Sequence, residues 1–433
     1  MKLEPEAEEL NGIIKNLSPT AYSLLSERGL SIYFPKKGIL SQTAESKGKR
    51  INATIGTAID NDGSPMRIKP IEVLVSVRPE DAFSYAPSAG KKELRKKWKE
   101  KIYDKNPSLK GKQISNPIVT AGITHAMCVA GFLFADEGKK IIAPDMLWEN
   151  YNLIFSNTYK SEIESYNLFD RKGFDVASLR SKLEKQEKSI LLFNFPNNPT
   201  GYTVTVEEAD NIAEAVKEHA ENGNKILAII DDAYFGLVYE KGIENESLFS
   251  RLACVHENVL AVKIDGPTKE DYVWGFRLGC ITIGIKNGTS ALYNAIESKI
   301  EGAVRATVSN ASNLSQSLVL KAYSSPEYKK EKEEKYSMLK SRYDAVKETL
   351  ERKREYSKFF EPLPFNSGYF MCVKLKGSLD AEKIRKTLLE RYDTGVISLG
   401  NLLRIAFSSV DKKDIPELFE NIYRACKENE KQP

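Results

Sequence analysis

The chain has 433 residues, with 64 lysines and arginines against 60 aspartates and glutamates, for a formal net charge of +4. Hydrophobic residues make up 41% and charged residues 29%, which is ordinary globular usage and argues against disorder or a fibrous repeat. Charge this near balance does not favour a dedicated nucleic-acid binder, and no apolar run reaches the roughly 18–20 residues of a membrane-crossing helix.

The N-terminal stretch MKLEPEAEEL is acidic and has no apolar centre, so no secretory signal is expected and a cytoplasmic location is. The next feature is the basic run Lys91–Lys101, which contains Trp98. Glu93 and Glu100 interrupt it, so it reads as the solvated face of a surface helix rather than a phosphate-binding groove. From about residue 115 to 285, short apolar runs alternate with amphipathic stretches. Ile118–Thr120, Lys140–Ala143, Ile190–Phe195, Ile226–Ile230, Val259–Ile264 and Cys280–Ile285 are predicted strands, several apolar at consecutive positions as in a parallel sheet covered on both faces. Val206–Ala220 is a predicted helix, with Ile212, Ala215 and Val216 at helical spacing behind Glu207 and Glu208.

Beyond about residue 310 the texture changes. Lys329–Lys358 predicts one long charged helix with a stripe of Leu339, Tyr343, Val346 and Leu350. Strands over Tyr369–Leu375 and Leu402–Phe407 and helices over Ala381–Arg391 and Lys413–Lys427 complete a smaller α+β region. The expected organisation is an N-terminal segment, 1–65, packing with a small domain, 321–433, and a large domain over 66–320. The five cysteines (Cys128, Cys254, Cys280, Cys372, Cys426) form no C-x-x-C pair, and three histidines stand at no ligand spacing. Free thiols are expected, and no metal site.

Four features sit just past predicted strand ends, where an α/β sheet presents its ligands. Ala121-Gly122-Ile123-Thr124 opens a helical run, and a glycine turn before a helix N-terminus makes an anion cradle; taken alone, a plain strand-to-helix turn is the readier explanation. Asn197-Asn198-Pro199-Thr200-Gly201 is a tight turn whose asparagine can donate to a ligand oxygen. Asp231-Asp232-Ala233-Tyr234 places charge at the sheet's end, which needs a cation if buried and none if it is a solvated turn. Lys269 follows, with Gly275, Arg277 and Gly279 after it: an amine nucleophile with an anion clamp, or a surface lysine. Taken together they match the needs of an aldehyde cofactor, pyridoxal 5′-phosphate: a lysine for a Schiff base, an acid at the ring nitrogen, donors to the phenolic oxygen and a phosphate site.

The order and spacing of Asn198 in NPTG, Asp231 and Tyr234 in D-x-A-Y, and Lys269 and Arg277 in K-x5-G-x-R-x-G resemble the class I/II aminotransferases of the fold type I pyridoxal-phosphate enzymes. The resemblance covers most of the chain. It implies an α/β fold with a mostly parallel seven-stranded sheet between helices, a small α+β domain, and a homodimer with shared sites. Lys269 would hold the cofactor and move the proton between substrate Cα and cofactor C4′. Asp231 would keep the ring nitrogen protonated, Asn198 and Tyr234 would bond the phenolic oxygen, and Trp148 in WENYNLIF would stack on the ring. Arg277, Thr268, Thr124 and the helix N-terminus at Ile123 would bind phosphate, with Tyr85 in YAPSAG reaching the partner's site. Ile55-Gly56, Asn198 and Arg404 would hold the substrate α-carboxylate.

Arg305 resembles the arginine that reads a second carboxylate in aspartate-type members; an ordinary helix-end arginine is the other reading. Gly266 stands where many relatives carry a phosphate-binding serine, with Thr268 as its replacement. Glu270 and Asp271 are also departures, and they are expected to alter the electrostatics near the imine. The implied reaction is amino-group exchange between an L-amino acid, of aspartate/glutamate or aromatic type, and a 2-oxo acid. A C–S β-lyase or other amino-acid lyase on the same fold, and a non-catalytic binding protein, are the alternatives.

Overall fold

A computed structural model describes residues 3–33, 38–73, 75–170 and 173–430. Its centre is a seven-stranded sheet built from β1 (Ile118–Thr120), β2 (Lys140–Pro144), β3 (Glu162–Tyr166), β4 (Lys188–Asn194), β5 (Lys225–Asp231), β6 (Val259–Asp265) and β7 (Gly279–Ile285). The spatial order is β1-β7-β6-β5-β4-β2-β3. All neighbours are parallel except β7, which runs antiparallel to β1 and β6. The middle strands β4 to β6 are almost continuously buried, in keeping with their unbroken apolar sequence.

The predicted strands are all present. One, β3, is missing from the sequence reading because EIESY is polar and only its last residue is buried; it is an edge strand held by β2 alone. The predicted helix at 206–220 is the helix Val206–Glu221, started by a capping box between Thr205 and Glu208. The long charged helix stops at Arg352, earlier than expected, and a short 3-10 turn covers Arg354–Lys358.

A four-stranded antiparallel sheet follows, from β8 (Phe360–Pro362), β9 (Met371–Leu375), β10 (Ile397–Leu399) and β11 (Leu402–Ile405), in the order β10-β11-β9-β8. Ile51–Asn52 pairs in parallel with Thr394–Gly395, so the chain before the central sheet meets the chain after it. The helix Glu27–Ser31 instead lies against Asn152–Thr158, where Ser31 Oγ donates to the Asn157 carbonyl at 2.9 Å.

The basic run departs from expectation in part. Leu94, Trp98 and Ile102 of the helix Lys92–Lys105 are buried, and Lys101 lies 3.6 Å from the Tyr323 ring centroid. The helix keeps a solvated face at Lys92, Glu93, Lys96 and Glu100, while Lys91, Arg95 and Lys101 meet acids brought from elsewhere in the chain. All five cysteines are free, three of them buried. Among the described residues no helix is long and apolar enough to cross a membrane, and no cluster of potential metal ligands is found.

Candidate active site

Strands β4, β5 and β6 are in register, with Asn194 beside Asp231 and Asp231 beside Ile264. Their carboxyl ends therefore deliver the NPTG turn, the acidic pair and the Lys269 loop to one edge of the sheet. Asn197 Oδ1 accepts from Thr200 N and Oγ1 at 3.1 and 2.7 Å, which closes the turn and sets Asn198 beside the sheet. Asn194, a residue the sequence reading passed over, ties the pieces together. Its Oδ1 accepts from Asn198 N at 2.8 Å and its Nδ2 donates to the Asp231 carbonyl at 2.9 Å.

Asp231 is 2% exposed, and burial pushes its carboxyl above the usual carboxylate range. Ala233 N donates to Oδ1 at 3.0 Å, and the Tyr151 hydroxyl donates to Oδ2. Among the described residues no cation forms an ion pair with it. Asp232 differs: its Oδ2 takes the Lys263 ammonium and the Ser247 hydroxyl. Tyr151 lies within the WENYNLIF stretch, where nothing local in the sequence links it to Asp231.

Lys269 lies in the four-residue helix Pro267–Glu270, its Nζ 5.2 Å from the Tyr234 ring centroid. Burial lowers its ammonium pKa; the Asp231 charge opposes this and the Arg277 charge adds to it. Tyr369 OH donates to the Lys269 carbonyl at 2.9 Å, fixing the loop from the side of β9. Tyr234 is buried edge-on to Tyr369 and Phe370.

The helix Ile123–Phe134 begins at Gly122, whose φ is +93°. A Cβ there would stand 2.6 Å from Arg277 Nη2, so the guanidinium covers the helix N-terminus where an anion binds most favourably. Arg277 itself has φ +52°. Thr124 is half-buried at the same turn, while Thr268 is buried and donates to the Leu278 carbonyl at 3.2 Å. A Cβ on Gly266 would meet the Leu278 carbonyl oxygen at 2.7 Å, so the fold leaves no room for a serine side chain there without a shift.

Arg404, in β11, is 3% exposed. Its Nη1 donates to Asn198 Oδ1 at 3.4 Å and its Nη2 to the Thr54 carbonyl at 3.2 Å, while Nε has no partner. The guanidinium lies 4.6 Å from the Phe370 ring centroid. Gly56 is exposed two residues beyond Thr54, within reach of Phe370. Trp148 packs edge-on to Tyr151, 5.4 Å between centroids, and with Asn198 it borders a cleft of about 830 Å³ that also takes in Glu149, Asn152 and Leu402. Two expected residues stand apart in this chain: Tyr85 is 90% exposed, and Arg305 is exposed near the end of the helix Ser290–Val308.

The electrostatic expectation for Glu270 and Asp271 needs correction. Both carboxylates are buried and committed to lysines: Glu270 to Lys105 and Lys332, Asp271 to Lys101 and Lys332. Neither pairs with Lys269.

These residues fit pyridoxal phosphate. A buried acid without a cation suits a ring N–H⁺, an unpaired lysine amine suits an aldehyde, and the Gly122–Arg277 cradle suits a phosphate. The model for aminotransferase class I and II matches residues 70–422. This chain belongs to that family. It is accordingly placed among the pyridoxal-phosphate-dependent aminotransferases of fold type I.

The probable aspartate/prephenate aminotransferase of Aquifex aeolicus is 26% identical over 326 residues, 73% of this chain and 76% of the relative. The probable aspartate aminotransferase of Methanocaldococcus jannaschii is 24% identical over 215 residues, 49% of this chain and 52% of the relative, so the chain spans about half the length of that protein. The crystal structure of an aminotransferase from Anaerococcus prevotii shares the fold, with a TM-score of 0.82, 24% identity, and coverage of 93% of this chain and 99% of that one.

Proposed function

We propose that this aminotransferase exchanges the amino group between an L-amino acid of aspartate/glutamate or aromatic type and a 2-oxo acid. The observation that carries the reading is Arg404, a buried guanidinium with no carboxylate partner among the described residues and a free Nε. A buried charge left this way is costly unless a ligand completes it, and a planar fork matches an α-carboxylate in a way that lysine does not.

When bound, the cofactor supplies an electrophilic carbon and a ring that accepts the electron pair released at substrate Cα. The chain's own residues do the rest. Lys269, its pKa lowered, offers a neutral amine and carries the proton to and from Cα. Asp231, held by Tyr151 and Ala233, keeps the ring nitrogen protonated. Asn198 and Tyr234 would bond the phenolic oxygen, and Trp148 would pack against the ring. Arg277, Thr124 and the N–H groups from Ile123 onward would hold the phosphate. Thr268, whose hydroxyl is spent on Leu278, shapes the loop.

The assembly proposed is a cytoplasmic homodimer. Val75, Phe83 and Tyr85 are 67%, 89% and 90% exposed, an apolar edge that a second copy would cover while bringing Tyr85 to its phosphate site. Arg305 reads a side-chain carboxylate across that interface. The names of the relatives, aspartate and aspartate/prephenate aminotransferase, support acidic substrates.

The test is the visible spectrum of the purified protein before and after excess glutamate. Bleaching of the lysine-bound cofactor band, with one 2-oxo acid formed per site, is expected. An unchanged band with glutamate, aspartate and aromatic amino acids alike overturns the substrate reading. Ammonia and pyruvate from a cysteine conjugate would assign a lyase instead.

A further inference from the structure

Two acidic residues directly follow Lys269, and an unpaired carboxylate beside an amine holds its proton on. The fold disposes of both. Glu270 Oε1 takes the ammoniums of Lys105, from the helix Lys92–Lys105, and Lys332, from the helix Tyr328–Arg352. Asp271, fully enclosed, takes Lys332 at 3.0 Å, Lys101 at 3.6 Å, and the hydroxyls of Tyr323 and Tyr328. Lys101 is itself caged by Trp98, Tyr323 and Tyr328, with its Nζ 5.0, 3.6 and 5.4 Å from the three ring centroids.

The neighbourhood is balanced in charge. Trp98 Nε1 continues the network to Asp265 at 2.9 Å, and Lys263 joins Asp265 to Asp232. Lys101, Lys105, Lys263 and Lys332 are thus matched by Asp232, Asp265, Glu270 and Asp271. Lys269 is the lysine left out.

We infer that Glu270 and Asp271 are positioning residues for Lys269: anchored by Lys101, Lys105 and Lys332, they fix its backbone and keep their own carboxylates off its amine. The inference rests on Lys269 being the cofactor-linking residue, as proposed above. The anchor has two ends. Lys101 and Lys105 hold it to a helix beside the central sheet, whereas Lys332 belongs to the long helix that leads into the second sheet. Tyr369, just before β9, adds its hydrogen bond to the Lys269 carbonyl. The lysine loop is therefore clasped between the helix Lys92–Lys105 and the long helix Tyr328–Arg352.

The experiment uses the full chain freed of cofactor. Pyridoxal phosphate is added, the growth of the lysine-bound band is timed, and hydrogen exchange is followed in peptides spanning 266–273. Glu270→Gln and Lys332→Met are each expected to slow capture by about tenfold or more and to speed exchange in that segment, because a misplaced amine loses its approach geometry. Lys332→Arg, which keeps the charge and the reach, is expected to stay near wild type.

The double variant Glu270→Gln/Lys332→Met, neutral again, is expected to regain protection from exchange only in part, since the anchor itself is still lost. Where Glu270→Gln does not accumulate as folded protein, the contrast between Lys332→Met and Lys332→Arg decides. Capture within about twofold of wild type and unchanged exchange, with only a lower melting temperature, would make the cluster purely structural and overturn the inference. Borohydride trapping and peptide mapping of the wild type separate the two readings. A trapped bond at a residue other than Lys269 removes the proposed site and this inference with it; trapping at Lys269 with indifferent variants removes the inference alone.

Discussion

Asp231 and Asp232 are consecutive and both buried, yet they meet opposite chemistry: a neutral hydroxyl from Tyr151 for the first, the Lys263 ammonium for the second. Alternation along a strand sends neighbouring side chains to opposite faces, and the sheet uses this to separate a functional carboxylate from a structural one. Asp231 keeps its capacity for a cation, while Asp232 has already spent its own.

Tyr151→Phe tests the first half. The hydroxyl donates to the charged form of Asp231, so its loss moves that carboxyl still higher and leaves one buried oxygen unsatisfied. A penalty of about 1–3 kcal/mol is expected, read as weaker pyridoxal phosphate retention in equilibrium dialysis, with Lys269 still able to link the cofactor.

Lys263→Met tests the second. An unpaired buried carboxylate costs about 3–5 kcal/mol, seen as a lower urea midpoint. Lys263→Met/Asp232→Leu, which removes both charges, is expected to regain much of that loss. Equal destabilisation by the single and double variants would show that packing, not charge pairing, dominates.

Gly122→Ala addresses the phosphate cradle. A non-glycine residue at φ +93° costs about 1–2 kcal/mol, and its Cβ pushes on Arg277 Nη2. Cofactor affinity should fall more than stability does, measured by titrating the apoprotein and by thermal melting on the same sample.

The pH dependence of Lys269 has a definite sign. Burial lowers its pKa from 10.5, so the unfolded chain binds that proton more tightly. Its contribution therefore makes the cofactor-free protein more stable as pH rises through the folded value toward 10.5. In amine acylation followed by peptide mass spectrometry, Lys269 should react with a midpoint below that of ordinary lysines. A midpoint at or above 10.5 would contradict the burial argument.

Much of this was legible in the chain. The interior strands announce themselves by consecutive apolar residues, and β5 closes its apolar run at Ile230 and ends on Asp231. Asn198, Asp231 and Lys269 could be placed together because each follows such a strand. What stayed hidden depends on pairing at a distance. Half-exposed β3 carries two glutamates and lacks an apolar signature. Tyr151 gains its role only when the helix behind Trp148 folds against β5, and Lys101 is largely enclosed only because Asp271 and three aromatic rings arrive around it. Local sequence reports what a residue is, while its dielectric surroundings are decided by remote partners.

Asn194 carries a demand that the apolar residues around it do not. One tip of its planar amide must accept from Asn198 N while the other donates to the Asp231 carbonyl. Aspartate would set an anion against that carbonyl, and leucine would fill the space but abandon both partners. The side chain thus works as a polarised spacer that cannot be reversed or neutralised. It holds the group meant for the ring's oxygen and the group meant for its nitrogen at one constant separation, whatever the strands do below.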